Sequence, residues 1–175
     1  MNETQTYDQL IERCKAWDRS GQEELYRLFS RDLWKVCMLY ATDKDEASDF
    51  LHDAFMHIFK NIQSYQQTGS LEGWLRRVTV NHCLQTLRKK KKNPFAEFNE
   101  NLLAIEEEQE EEEQFSFEQV LSQINLLPQK AALVLKLYAI EGWSHAEIAD
   151  ELNISVGTSK SQLNYARTIL KEKLR

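Results

Sequence analysis

The stretch from Gly142 to Lys171, GWSHAEIADELNISVGTSKSQLNYARTILK, most constrains how this chain can fold. Ser144 and Glu147 have the S-x-x-E spacing of a capping box, which predicts the start of a helix. Asn153 tolerates a left-handed turn, and Ser155 can cap a second helix. Two short helices joined by a three-residue turn are typical of a helix-turn-helix. An ordinary helical hairpin with a solvated outer face would have the same pattern.

The second helix of this stretch has an apolar side and a polar side. We expect its buried positions to be Val156, Leu163, Ala166 and Leu170. We expect its outer side to carry Lys160, Ser161, Gln162, Asn164 and Arg167. Donors and cations of this kind can contact base edges and phosphates in a major groove. The pattern therefore predicts that this helix reads duplex DNA.

The composition favours an all-helical protein. The 175 residues include only 2 Pro and 5 Gly, and helix-forming residues are abundant. Three cysteines, Cys14, Cys37 and Cys83, lack C-x-x-C spacing and are interpreted as core thiols. No apolar run approaches about 18 residues and no signal peptide is recognisable, which predicts a cytoplasmic protein.

The sequence does not suggest an enzyme. No phosphate-binding glycine loop or nucleophile motif is present, and the four histidines show no metal-ligand spacing. We therefore expect no catalytic residue, no metal, no cofactor and no small-molecule substrate.

The amino-terminal half predicts a bundle of helices. A first helical stripe includes Cys14 and Trp17 and is expected to end at Ser20–Gly21, and a second helix should reach about Ala41. The third helix has the clearest helical period, on Ala47, Phe50, Leu51, Ala54, Phe55, Ile58, Phe59 and Ile62. Its opposite face carries Asp49, His52, Asp53, Met56 and Lys60, and the residues alone favour simple solvation there.

A polar loop and a basic helix follow. The loop 63–69 contains one aromatic residue, Tyr65, and the next helix runs from Leu71 towards Lys92. That helix has a polar stripe and ends in the run Arg88–Lys92. A basic run is often only a solvated tail, but beside an aromatic loop residue it favours binding of single-stranded nucleic acid.

Charge is unevenly distributed along the chain. The net charge is −6, yet residues 71–92 have seven Lys and Arg against one Glu, and 156–175 have five against one. Residues 97–118 contain ten Glu and no basic residue. We expect an all-α fold of two small domains, 1–93 and 117–175, joined by an acidic flexible linker, 94–116.

The order and spacing of four segments resemble an extracytoplasmic-function sigma factor, a small class of bacterial RNA polymerase specificity subunits in the sigma-70 family. The segments are DEASDFLHDAFMHIF, SLEGWLRRVTVNHCLQTLRKKKK, LPQKAALVLKLYAIEGWSHAEIADEL and ISVGTSKSQLNYARTILKEKL. The resemblance implies a region 2 domain, a linker and a region 4 domain, with core RNA polymerase, promoter DNA and an anti-sigma factor as partners.

The resemblance also implies roles for particular residues. Core polymerase would be bound by Asp49, His52, Asp53, Phe55 and Met56, which replaces the solvation interpretation of that face. The melted −10 element would be bound by Tyr65, Arg76, Arg77, Asn81 and Arg88, with an unstacked base captured near the loop. The duplex −35 element would be bound by Ser155, Thr158, Lys160, Ser161, Gln162 and Arg167.

Several positions depart from the family pattern. His52 replaces a usual Gln, and Ser159 stands where an apolar residue normally packs, so we expect a looser recognition helix. Gln162 and Tyr165 replace common basic residues. Two other classes remain open: a stand-alone helix-turn-helix regulator, which would bind an operator without polymerase, and a helical adaptor that binds only protein.

Overall fold

The computed structural model describes residues 3–90 and 117–174, and every regular element in those ranges is helical. The chain divides into two compact units, Met1–Lys92 (unit 1) and Asn93–Arg175 (unit 2). The expected all-α class is therefore confirmed. The acidic linker expected at 94–116 lies outside the described residues.

Unit 1 is a bundle of four helices with a short turn between the third and the fourth. Helices α2, α3 and α4 pack against one another, and α1 lies on α2 and on the turn. The elements are α1 Glu3–Lys15, α2 Arg19–Tyr40, α3 Lys44–Asn61, a 3-10 turn Ile62–Ser64 and α4 Leu71–Lys90.

The third helix follows the expected period closely. The Asp43 side chain caps its start by accepting a hydrogen bond from the backbone N–H of Glu46 at 2.8 Å. The apolar face is buried except for Phe59, which is half-buried, and the fully enclosed Ile58 lies at its centre. Truncating a side chain enclosed in this way usually costs about 2–5 kcal/mol. This face anchors α3 and leaves its polar face outward.

The junction between α1 and α2 differs from the expectation. The first helix ends at Lys15 rather than Ser20–Gly21, because the Asp18 carboxylate caps a new helix. Trp17, expected on the buried stripe, forms the turn and is exposed. Gly21 lies inside α2, where an added Cβ would be 2.8 Å from the Arg13 Cβ. The glycine therefore permits close approach of the two helices rather than ending the first.

Unit 2 is built around its last helix. Helix α8 packs on each of the other three helices of the unit. Pro128 immediately precedes the helix Gln129–Leu135. Gly142 has φ of 70°, the left-handed conformation that reverses the chain before the helix-turn-helix. The elements are α5 Phe117–Ile124, α6 Gln129–Leu135, a π-helical turn Lys136–Ile140, α7 His145–Leu152 and α8 Val156–Leu174.

Candidate polymerase and nucleic-acid interfaces

The polar face of α3 is open to solvent in unit 1. Asp49, His52, Asp53 and Met56 are all exposed on it. Phe55, which was assigned to the same surface, is only 3% exposed, and its ring packs 4.7 Å from that of Tyr26. Helical periodicity explains the correction, since position 55 belongs to the buried stripe. Phe55 can support this face from beneath but does not present its ring to a partner.

A pocket of about 260 Å³ lies between α3 and α4. Its wall combines one indole with two imidazoles and several amides. Among the described residues, Asn81 Oδ1 and His82 Nδ1 are buried without a hydrogen-bond partner. Both atoms are closed off from solvent, so they do not themselves face the pocket. The pocket is lined by His57, Asn61, Ser64, Trp74, Val78, Asn81, His82 and Gln85.

His82 adds a neutral aromatic ring to this wall. Burial lowers its pKa, and the neighbouring His57 and Lys89 lower it further, against the opposing effect of Asp53. The His57 and His82 rings are 4.8 Å apart, and Asp53 Oδ2 is 3.9 Å from His82 Nε2. The His82 ring is therefore held in its neutral form at neutral pH.

Tyr65 does not project from the loop as the sequence suggested. It is 7% exposed, its hydroxyl donates to the carbonyl oxygen of Gly69 at 2.7 Å, and its ring lies 5.3 Å from that of Trp74. Burial raises the pKa of its phenol. An aromatic ring beside a packed helix gains more from burial than from exposure. Tyr65 therefore supports the loop, and its assignment as a direct base contact stays a prediction.

The arginines assigned to DNA binding lie along α4. Arg77 is exposed, whereas Arg76 and Arg88 are half-buried. At the end of the helix, the Lys90 ammonium is 2.5 Å from a carboxylate oxygen of Glu46. The last two lysines of the basic run, 91 and 92, lie outside the described residues.

The helix-turn-helix in unit 2 forms as the sequence predicted. Ser144 and Glu147 make both hydrogen bonds of the capping box, and Asn153 is left-handed with φ of 53°. Ser155 Oγ accepts from the backbone N–H of Thr158 at 2.9 Å and lies 2.8 Å from its hydroxyl. Thr158 is consequently buried in the cap, so its hydroxyl is not available as expected for a phosphate or base.

Helix α8 divides its assigned DNA contacts between two environments. Lys160 and Arg167 are exposed and Ser161 is half-buried. Gln162, however, is only 4% exposed, because it shares the inner stripe of Ser159, Leu163 and Ala166. The assignment of Gln162 as a −35 contact stays a prediction, and the burial of its side chain gives it no support. Val156, expected inside, is exposed at the start of the helix.

A chain of contacts that was not predicted from the sequence connects α8 to the rest of unit 2. His145 Nδ1 lies 2.9 Å from the buried Ser159 hydroxyl, and the His145 ring stacks on Tyr138 at 4.6 Å and 22°. The Arg167 guanidinium lies over the Tyr138 ring, 5.8 Å from its centroid. Burial lowers the His145 pKa, and the nearby cations Lys160 and Arg167 add to this. A serine at an apolar helical position was the signal that its hydroxyl needed a partner.

No helix in 3–90 or 117–174 is long and apolar enough to cross a membrane. In the same ranges, no group of three or more His, Cys, Asp and Glu side chains could hold a metal ion.

Comparison with known proteins agrees with this division into two parts. The Sigma-70 region 2 family model matches residues 25–93, and the model for Sigma-70, region 4 matches residues 117–170. The ECF RNA polymerase sigma factor SigM of Mycobacterium tuberculosis is 28% identical over 155 residues, 89% of this chain and 78% of that protein. SigW of Bacillus subtilis, another ECF RNA polymerase sigma factor, is 26% identical over 177 residues, 94% of this chain and 95% of that one.

A solved sigma-factor structure has a similar fold. The sigma factor RpoE of Bartonella quintana, in complex with the anti-sigma factor NepR, has a TM-score of 0.56 and 20% sequence identity. The match covers 87% of this chain and 95% of that chain. At this level of identity the likeness concerns the fold alone.

The two regions, in this order along one chain, define a protein of the sigma-70 class. Within that class the chain belongs to the extracytoplasmic-function (ECF) RNA polymerase sigma factors. The resemblance noted in the sequence is therefore confirmed. The function of the chain is to direct RNA polymerase to promoters at transcription initiation.

Proposed function

We propose that the two units divide promoter recognition between melted and duplex DNA. Unit 1 docks on core polymerase and holds a base of the opened −10 strand, and unit 2 binds the duplex −35 element. The observation that carries this proposal is the pocket between α3 and α4, whose wall contains Asn81 and Trp74. A pocket with amide side chains and an aromatic wall suits a single flipped base better than a duplex.

Core polymerase would bind the exposed polar face of α3. Asp49 and Asp53 give this face its negative charge, and Met56 adds an exposed, adaptable apolar contact. Carboxylates on a helix face set the orientation of a partner by attracting its basic groups. Phe55 acts from within by fixing α3 against α2.

Strand opening would draw on the pocket and on α4 together. Unpairing and unstacking a base costs a few kcal/mol, which capture in the pocket partly offsets. Arg76, Arg77 and Arg88 on α4 would hold the phosphates of the same strand. Asn81, whose side chain lines the pocket, would form hydrogen bonds to the edge of the base.

Duplex binding would use the outer side of α8. Lys160 and Arg167 supply positive charge on the exposed side of the helix. Ser155 and Ser161, assigned to the same contact, already use their hydroxyls in hydrogen bonds with Thr158. Most of the affinity of such a contact comes from phosphates, and base edges add specificity. Without Gln162, the DNA-binding surface of α8 has few polar side chains.

The remaining partners follow from the same class. The chain supplies no catalytic group, because the polymerase performs the chemistry, and it acts in the cytoplasm with that enzyme. An anti-sigma factor is a further partner, by analogy with the RpoE–NepR complex. Such a partner can act by covering the polar face of α3.

The polymerase contact can be tested by reversing charge on α3. The double variant Asp49→Lys, Asp53→Lys should bind core polymerase at least about tenfold more weakly, because attraction becomes repulsion. The matched control is Asp150→Lys, which changes an exposed carboxylate on α7 in unit 2. Affinity for fluorescently labelled core polymerase is the measurement. Equal affinities of the double variant and the wild-type chain would contradict the proposed docking face.

A further inference from the structure

Trp17 occupies an unusual position at the corner between α1 and α2. Its φ is 60°, and its side chain is 63% exposed. A bulky residue in the left-handed region is a true outlier, because its Cβ crowds the backbone carbonyl. This residue destabilises the folded chain in two ways, through backbone strain and through exposure of the apolar indole. Backbone strain of this kind is concentrated at functional sites.

The corner that carries Trp17 is held rigidly. The Arg13 guanidinium donates to Asp18 at 2.9 Å, to Glu24 at 2.8 Å and to the Ser20 hydroxyl at 2.7 Å. Backbone hydrogen bonds close the turn, from the N–H of Trp17 to Cys14 and from that of Asp18 to Arg13, both at 3.0 Å. The surroundings therefore fix the strained conformation, and the indole is presented on a rigid support.

This corner adjoins the segment that bounds the base pocket. The Gln63 side chain donates to the backbone oxygen of Lys15 at 2.7 Å, two residues before Trp17. Gln63 belongs to the 3-10 turn after α3, and its neighbours Asn61 and Ser64 line the pocket. The exposed indole is thus linked to the pocket rim by one side-chain hydrogen bond and a few residues of chain.

We propose that Trp17 is a stacking platform for a second unpaired base of the melted promoter strand, close to the base held in the pocket. This inference rests on the proposed capture of the −10 strand by unit 1. Every nucleobase has a π face that can stack on an aromatic side chain, so the contact tolerates any sequence. Arg13, Lys15 and Arg19 of this corner are each paired with a carboxylate, so stacking rather than phosphate attraction provides the contact.

The test uses holoenzyme assembled from core polymerase and the full chain. The probe is a forked DNA from a promoter recovered by transcription selection, with an abasic site placed at each position of its single-stranded extension in turn. With the wild-type chain, one abasic position other than that of the pocket base should lower affinity about tenfold. With Trp17→Gly this position should have no effect, and affinity for the intact fork should be about tenfold lower.

Stability separates this role from a structural one. Trp17→Gly should raise the thermal midpoint of the free chain, since glycine adopts this φ without strain. Asn153→Gly makes the same backbone change at another left-handed residue and should leave the abasic scan unaltered. Trp17→Phe keeps a stacking ring and should retain the sensitive position.

Three outcomes would overturn the inference. One is wild-type affinity of Trp17→Gly for the intact fork, and another is persistence of the sensitive abasic position in that variant. The third is loss of core polymerase binding with fork affinity per bound complex unchanged, which would assign the indole to a protein contact. If the wild-type holoenzyme is insensitive at every abasic position, the proposed strand capture itself fails.

Discussion

Lys90 is the last residue of α4 and belongs to the basic run that was expected to bind nucleic acid. Its ammonium instead forms an ion pair within unit 1. Its ammonium contacts Glu46 across 44 positions of the chain, and the Phe50 ring lies 5.6 Å below it. Glu46 also accepts hydrogen bonds from the backbone and the hydroxyl of Thr42. This group of contacts fixes the last turn of α4 to the start of α3.

The Glu46 carboxylate should make unit 1 sensitive to acid. Burial would raise its pKa, but the hydrogen bonds from Lys90 and Thr42 outweigh burial and lower the pKa to about 2. A lowered folded-state pKa contributes stability above the unfolded value of about 4.5, and this stability is lost as pH falls towards 2. Glu46→Gln should therefore cost about 2–3 kcal/mol at pH 7, and the difference from wild type should shrink steadily below pH 5.

Urea denaturation at a series of pH values measures this difference. Asp32→Asn is the matched control, because Asp32 pairs with Lys35 at 2.8 Å on an exposed surface, where such pairs contribute about 0–1 kcal/mol. A Glu46→Gln penalty that is the same at pH 3 and pH 7 would show that ionisation of Glu46 does not stabilise the fold.

At the scale of single residues, the sequence predicted exposure better for strongly periodic helices than for loops and crowded contacts. Asp49 and Asp53 fall where the period of α3 puts them. Tyr65 is buried because its ring packs beside Trp74 of the next helix, which the loop pattern does not show. Gln162 is buried because it shares the inner face of α8 with Ser159 and Leu163, although the sequence pattern was assigned the other way.

At the scale of elements, the orientation of α8 depends on two residues that the sequence analysis treated separately. Ser159 was expected to loosen this helix, but its hydroxyl has a partner in His145, which is itself stacked on Tyr138. A buried hydroxyl left unpaired costs about 1–3 kcal/mol. The hydrogen bond between Ser159 and His145 therefore takes the place of the apolar contact expected at position 159.

Exchange of this pair should reveal coupling between the two positions. His145→Phe keeps the stacked ring but leaves the Ser159 hydroxyl unpaired, and should weaken sequence-specific duplex binding about tenfold, in line with a loss of roughly 1–2 kcal/mol. Ser159→Val in addition should restore most of the affinity, because both partners are then apolar. Competition between a selected −35 duplex and a scrambled duplex provides the measurement.

Thr168→Ala is the control for this exchange, since the Thr168 hydroxyl bonds only the backbone of its own helix, at Asn164. If the double variant binds no better than His145→Phe alone, the two residues do not act as a pair.

Helix boundaries could largely be predicted from capping chemistry. Ser144 and Ser155 cap the helices that the sequence assigned to them. The corner after α1 could not be predicted, because a tryptophan in the left-handed conformation contradicts local preference. Only the Arg13 contacts of the folded chain explain it.

At the scale of the whole molecule, the chain consists of two unlike helical units with separate tasks. The family and the presence of both regions followed from motif order, because four segments in sequence are far more specific than any one of them. Which residues contact DNA depends on the packing within each unit. Phe55, Tyr65, Thr158 and Gln162 show how far that packing alters an assignment carried over from family resemblance.

The most direct test of the account is transcription in vitro from a randomised promoter library with purified core polymerase, read by sequencing the transcribed templates. With the wild-type chain, the account predicts two separated sequence blocks. Asn81→Ala should lose information only in the block nearer the start site, and the double variant Lys160→Ala, Arg167→Ala only in the distant block. Loss of both blocks in either variant, or of neither block in both, would contradict the division of promoter recognition between the two units.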